Sequence, residues 1–231
     1  MRNTGRLLLP IGTTNYKKIC DNYYYVDKTL MIKDILDEGT EISLFTRPRR
    51  FGKTLNMDML RTFFEKQEED TSRYFTDKKI WQQGEAYTKH QGKYPVIYLS
   101  LKDANKFTWP DLYARLIETI RDEFFRHSEL NDSPKISNPE FYKKIIAGQA
   151  TEAEYSISIL RLSRMLREHY GQSVILIIDE YDTPIQAGYI NGFYNEAIQF
   201  IRDLFSSALK DNDNLAFGFL TGILRVAKES I

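Results

Sequence analysis

The sequence predicts an α/β fold with a mainly parallel sheet, and three observations carry that prediction. Short segments of strand composition alternate with amphipathic segments of helical period, the order that yields βα units rather than hairpins. Residues 174–178 (VILII) are apolar on successive positions, as expected of a central strand covered on both faces. The 231 residues are 42% hydrophobic and 28% charged, which suits one globular unit with a sizeable core.

Residues 1–40 read as an N-terminal arm ending in a helix. Asp27 is placed to cap that helix, Leu30, Met31, Ile35 and Leu36 fall on one face, and Gly39 supplies the stop. The core then occupies residues 41–231. Ile42–Thr46 is a strand that runs into a basic, glycine-containing turn, and the next helix turns Leu55, Met59, Leu60 and Phe63 inward; Asp70 caps a further short helix. Residues 94–101 form a second strand, and Thr108 with Trp109-Pro110 opens a helix with Leu112, Leu116, Ile117, Ile120 and Phe124 inward. Asn138-Pro139 begins another helix, and Thr151 with Glu154 makes a capping box ahead of Ile157, Leu160, Met165 and Leu166. Residues 173–178 are the third strand. A helix over 192–210 and the Asn212-Asp213-Asn214 turn lead to a fourth strand, 215–220. The segment from Arg225 to Ile231 reads as the start of another helix, so the core is expected to be C-terminally incomplete.

Composition excludes several classes of function. Lys plus Arg and Asp plus Glu number 32 each, so no net field points to a nucleic acid or an anionic membrane. No apolar run approaches the roughly 20 residues that span a bilayer. One cysteine, Cys20, rules out an internal disulfide framework and a cysteine-rich zinc site, and the N-terminus has no secretion-signal pattern; a cytoplasmic location is expected. Aromatic residues, 13% of the chain, are scattered and read as core filler. His90, His127 and His169 have no mutual metal-ligand spacing and read as surface residues.

Residues 47–54 (RPRRFGKT) lie between the first strand and its helix, where a phosphate-binding loop carries Gly, four variable residues, Gly, Lys and Ser or Thr. Arg47 replaces the first glycine. In such a loop the backbone N–H groups of Arg49, Arg50, Phe51, Gly52, Lys53, Thr54 and Leu55 and the helix N-terminus hold phosphate. Gly52 lets the chain approach closely, Lys53 reaches the β and γ phosphates, and the Thr54 hydroxyl binds Mg²⁺. The arginine cluster could also hold nucleic-acid phosphates, but its place on the loop favours a nucleotide.

Asp179-Glu180 stands at the C-terminal end of the third strand, the sheet edge where ligands bind. The pair has the Walker B pattern: the aspartate holds Mg²⁺ through its water shell, and the glutamate orients or deprotonates an attacking water. A solvated acidic loop is the bland alternative. Asp182 either adds metal affinity or caps the turn before Pro184. Thr221 and Arg225, after the fourth strand, occupy the place of a γ-phosphate sensor, or are simply a strand-terminal turn and a surface arginine. No guanine-specificity segment follows a later strand, so ATP is the expected nucleotide.

On these residues the chain resembles the AAA-ATPase-like domain family of bacterial proteins, a divergent group of P-loop NTPases. The resemblance runs through Leu9-Pro10-Ile11-Gly12, Tyr25-Val26-Asp27-Lys28-Thr29, the whole 47–54 loop including Arg47, Asp179-Glu180-Tyr181-Asp182, and Thr221-Gly222-Ile223-Leu224-Arg225. It implies a three-layer α/β/α P-loop fold of the ASCE type with sheet order 5-1-4-3-2, the fifth strand lying past Ile231. It also implies an ATP-dependent activity and a C-terminal nuclease-like domain of the PD-(D/E)xK type, which nothing here matches. In related ATPases the block before the first strand, here 25–29, often contacts the base.

The leading expectation is therefore an ATP·Mg²⁺-binding, slow ATPase that acts as a switch for such an effector, self-associating or receiving an arginine from a neighbour. Lys53 and the loop hold phosphate, Thr54 and Asp179 hold Mg²⁺, and Glu180 positions water, with Arg49 or Arg50 assisting. Two other readings stay open: a nucleotide-dependent interaction module without hydrolysis, and a small-molecule phosphotransferase in which Asp179 or Glu180 activates a hydroxyl. Direct nucleic-acid binding ranks third.

Overall fold

A computed structural model describes residues 8–48 and 50–223. Along them the chain runs α1 (Tyr16–Asn22), α2 (Leu30–Glu38), β1 (Ile42–Thr46), α3 (Lys53–Phe64), α4 (Glu85–Thr88), β2 (Val96–Ser100) and α5 (Trp109–Arg126). It continues through α6 (Pro139–Ile146), α7 (Glu152–Ser156), α8 (Ser158–Tyr170), β3 (Val174–Asp179), α9 (Thr183–Asn191), α10 (Tyr194–Leu209) and β4 (Leu215–Gly222). The strands form one all-parallel sheet in the order β1-β4-β3-β2. This is the predicted 5-1-4-3-2 order over its first four strands, and the fold is of the P-loop-like three-layer α/β/α class. Parallel neighbours cannot be joined by hairpins, so every connection carries helices.

The described residues group into two compact units, one from 41–48 and 95–223, the other from 8–40 and 50–94. In the first, Val174, Leu176 and Ile178 of β3 join a core with Leu116 and Phe124 of α5, Leu162 and Leu166 of α8, and Ile201 and Phe205 of α10. Ile175, Ile177 and Asp179, on the alternate face, are equally inaccessible to solvent, which explains the unbroken apolar run. Thr108 accepts from the Asp111 N–H to cap α5, and Thr151 with Glu154 forms the expected capping box. Beyond that box the expected single helix breaks at Ile157 into α7 and α8. The helix predicted over 192–210 is α10, and α9, which the sequence reading did not predict, precedes it.

In the second unit, aromatic packing dominates. Phe63 meets Phe64 and Phe75 edge-on at 5.1 Å, and Tyr16 of α1 stacks on Phe75 at 5.2 Å. The Tyr16 N–H donates to Asp58 of α3 at 2.7 Å, tying the two helices together. Asp70 accepts from the Ser72 N–H at 2.9 Å but is not the cap of the 3₁₀ turn Ser72–Tyr74: Thr71 stands at that position and makes no side-chain cap bond. Gly39 ends α2 in the left-handed conformation, as expected. Asp27 does not cap α2: Thr29 is the residue at that position, and the Asp27 carboxylate instead accepts from the Thr29 N–H and hydroxyl and from the Lys79 N–H. The surface reading of His127 is also corrected. It lies 5% exposed at the end of α5, with ring nitrogens 3.0 Å from a Glu129 carboxylate oxygen and 3.1 Å from the Val96 carbonyl. The helix before Ile231, with Leu224 and Arg225, lies outside the described residues.

Candidate functional site

The C-terminal edge of the sheet is built from the ends of its strands. Register pairs Ser100 of β2 with Asp179 of β3, and Thr46 of β1 with Gly222 of β4, so these termini form one row. Asp179 is completely buried. One carboxylate oxygen accepts from the Thr221 hydroxyl; the other, Oδ2, is buried without a hydrogen-bond partner among the described residues. A buried carboxylate oxygen with no donor is costly, on the order of 1–3 kcal/mol or more for a charged group.

The chain must leave β3 sharply here. The Leu101 N–H donates to the Asp179 carbonyl at 2.9 Å, and the Tyr181 N–H donates to the Thr221 carbonyl at 2.9 Å. Between these fixed points Glu180 takes φ 56°, a left-handed conformation that costs a non-glycine residue about 1–2 kcal/mol. Its N–H donates to the Thr221 Oγ1 at 3.2 Å, while a carboxylate oxygen lies 3.4 Å from the Thr183 hydroxyl. Thr221 thus spends its one O–H on Asp179 and a lone pair on Glu180, holding both acidic residues rather than pointing a hydroxyl outward. Asp182, 1% exposed, is the N-cap residue of α9 but makes no side-chain cap bond; its Oδ2 accepts from the Ile223 N–H at 3.0 Å and from the Gln186 side chain at 2.6 Å. Gly222 admits no side chain: a β-carbon there would stand 2.5 Å from Tyr181 Cε1 and 2.7 Å from Asp182 Oδ1.

Arg47 continues this edge. Its N–H donates to the Gly222 carbonyl at 3.3 Å, extending the β1–β4 ladder by one residue, and its φ is not positive. The glycine usual at this position is therefore not needed for backbone conformation. The left-handed turns come later, at Arg50 (φ 68°) and Gly52 (φ 78°).

The loop's second part belongs to the other unit. Gly52 is the N-cap of α3, its carbonyl accepting from the Asn56 N–H at 3.0 Å, and Lys53 and Thr54 are the first residues of the helix. The amide groups of that first turn are the ones a helix leaves unsatisfied at its N-terminus. Phe51 is 61% exposed, Arg50 is exposed, and Lys53, Thr54 and Leu55 are half-buried. Lys28, which the sequence reading placed in the 25–29 block without a role, has its ammonium 3.7 Å from where a Gly52 β-carbon would lie.

The structure thus gathers Asp179, Glu180 and Thr221 at one edge, and Gly52, Lys53, Thr54 and Leu55 at one helix start. Arg49 and Arg225 lie outside the described residues. No cluster of three metal-ligating side chains occurs among the described residues, and no helix there is long and apolar enough to cross a membrane.

Comparison with known proteins gives one family. The profile described as "Predicted AAA-ATPase" matches residues 10–231. A protein of Azotobacter chroococcum mcd 1, named "Uncharacterized protein in vnfD 5'region", is 27% identical over 231 residues, covering 98% of this chain and 39% of the relative's length. No solved structure matches.

Proposed function

We propose, from the premise that this chain belongs to the AAA-ATPase-like family, that it binds ATP with Mg²⁺ and hydrolyses it slowly. The observation that carries the proposal is Asp179: a wholly buried carboxylate, oriented by Thr221, with one oxygen lacking any donor. A hydrated divalent cation satisfies that chemistry, and Mg²⁺ is commonly bound by one or two carboxylates together with phosphates rather than by an all-protein cage. The chemistry of the Asp179 carboxylate fits the ion, and by the sequence pattern the Thr54 hydroxyl is the second residue that would hold it. When bound, Mg²⁺ neutralises charge on the phosphate chain.

The chain's own residues supply the rest. Backbone amides from Arg50 to Leu55 and the Lys53 ammonium bind the phosphates. The Glu180 carboxylate orients a water and takes its proton; the left-handed backbone fixes where that carboxylate starts from. Thr221 positions both acids rather than touching the nucleotide. The role of a nucleotide-dependent switch, with a nuclease-like effector as the family resemblance implies, belongs to the same proposal; the relative is much longer than the part this chain covers.

Calorimetric titration of ATP and ADP with Mg²⁺ tests binding, with Lys53→Ala as control. We expect binding by the parent and at least about 10-fold weaker binding by Lys53→Ala, the loss of one charge-assisted contact. Equal affinity in both would overturn the site. Phosphate release separates the roles: Glu180→Gln keeps ATP affinity and loses turnover, whereas ATP binding without release by the parent would select the non-hydrolysing module.

A further inference from the structure

We propose that Lys28 is an additional phosphate ligand, a second lysine at the loop that binds the nucleotide's phosphate chain beside Lys53. This deepens the reading above and rests on it. Among the described residues, and apart from Gly52's own chain neighbours, the Lys28 ammonium is the atom that a β-carbon on Gly52 would meet within 4 Å, at 3.7 Å. It therefore stands over the backbone that begins α3, where the unsatisfied amides gather.

The segment carrying Lys28 is fixed on both sides of it. Asp27 Oδ1 accepts from the Thr29 N–H at 2.8 Å and from its hydroxyl at 2.7 Å, and Asp27 Oδ2 accepts from the Lys79 N–H at 2.8 Å. Thr29, fully buried, accepts from the Ile80 N–H at 3.2 Å, and the Lys28 N–H donates to the Tyr25 hydroxyl at 3.3 Å. Tyr25 in turn packs edge-on against the buried Tyr16 at 5.2 Å. Tyr25, Asp27 and Thr29 are thus spent on structure, while Lys28 itself is exposed.

Charge supports the assignment. The adjacent Asp27 carboxylate is engaged by three donors, and its pKa is lowered: burial would raise it, but the bonds from Lys79 and Thr29 outweigh that. Among the described residues Lys28 has no acidic group within salt-bridge distance, so its ammonium is not committed elsewhere. Bringing a lysine to a loop that already carries Arg50 and Lys53 concentrates like charge, which an anion offsets and a bare surface does not. A nucleoside polyphosphate supplies such an anion at the helix N-terminus.

The test is ATP, ADP and inorganic triphosphate titrated by calorimetry, in low and high salt, against the chain and its Lys28→Gln, Lys28→Arg and Lys53→Ala variants. Lys28→Gln is expected to weaken ATP and triphosphate about 10-fold in low salt, with a smaller loss in high salt as screening grows. Lys28→Arg should recover most of it. Unchanged melting temperature in Lys28→Gln, expected of an exposed side chain, separates a binding effect from a folding one. Parent-like affinity in Lys28→Gln, with Lys53→Ala weakened, overturns the role of Lys28 and leaves the nucleotide site standing. Parent-like affinity in both variants, or no binding by the parent, overturns the nucleotide site and the Lys28 proposal together.

Discussion

Glu180 combines a left-handed backbone at φ 56° with the side chain proposed to handle water, so at this residue stability and function pull apart. Replacing it with glycine removes the penalty of a β-carbon in that conformation. Glu180→Gly is therefore expected to raise unfolding stability by up to about 1 kcal/mol, net of the entropy glycine adds to the unfolded chain, while abolishing turnover. Glu180→Gln, which keeps the β-carbon, should abolish turnover with no such gain; denaturant titration beside phosphate release reads both. A Glu180→Gly variant no more stable than Glu180→Gln would mean that the turn carries no strain. Thr221 gives a second contrast. Thr221→Val deletes the one donor to Asp179 Oδ1 among the described residues and the acceptor for the Glu180 N–H, and should cost about 1–3 kcal/mol of stability together with Mg²⁺-dependent ATP affinity. Thr221→Ser keeps the hydroxyl and should retain both.

Among the elements, the exit of β4 is the tightest join at the sheet edge. Gly222 pairs with Thr46, accepts from the Arg47 N–H, and lies against Tyr181 and Asp182 where a β-carbon would be within 2.5 Å and 2.7 Å of their atoms. Both neighbours are held: Tyr181 is 2% exposed and Asp182 is bonded to Ile223 and Gln186. Gly222→Ala is thus expected to destabilise by about 1–3 kcal/mol through overpacking, measured as a lowered denaturation midpoint at unchanged slope. A midpoint equal to the parent's would show that the rings and carboxylate yield without cost. The four strands, the α5 cap and the Thr151–Glu154 box were legible in the sequence because each rests on local periodicity or on a side chain bonding three residues away. The two segments proposed to bind the nucleotide can be read locally as well, since Gly-Lys-Thr and the Asp-Glu after an apolar strand are each contiguous. Helix α9 (TPIQAGYIN) was not, because its apolar residues fall on no single face and its Pro184 reads as a turn; α1 is short and mostly polar. The roles of Thr221, Asp182 and Gly222 depend on partners about 40 residues away, which no local pattern records.

At the scale of the whole molecule, pH acts on stability through the buried group at the other end of the sheet, around the start of β2. Glu123, inside α5, accepts from the Tyr98 N–H at 2.7 Å and from Arg126, and His127 faces Glu123 at 3.4 Å, Glu129 at 3.0 Å and the Val96 carbonyl. Acceptors lie at both ring nitrogens and favour the imidazolium, while the Arg126 guanidinium, 3.0 Å from Nε2, opposes it. Burial alone would lower its pKa, but the Glu123 and Glu129 carboxylates outweigh burial and the repulsion from Arg126, so the net shift is upward. Burial likewise opposes the charged form of Glu123, yet Arg126 and His127 bring its pKa down to about 2. The signs then follow. A raised histidine contributes stability that is complete below the unfolded value near 6.5 and is lost as pH rises through the folded value. A depressed glutamate contributes above its ordinary 4.5, and loses that contribution as pH falls toward about 2. Both are fully present only between about pH 4.5 and 6.5. His90 acts on the acid side instead: burial, then Lys89, lowers its pKa, so its contribution is complete above 6.5 and is lost as pH falls through its lowered value, and the parent curve alone mixes the two. The difference between the parent and His127→Gln isolates His127: the parent's advantage should be largest near pH 5.5 and shrink steadily as pH rises to 8.5. Denaturant midpoints across that range provide the measurement, and a parent advantage that stayed constant with pH would show that His127 is buried neutral, with Glu123 held by Arg126 alone.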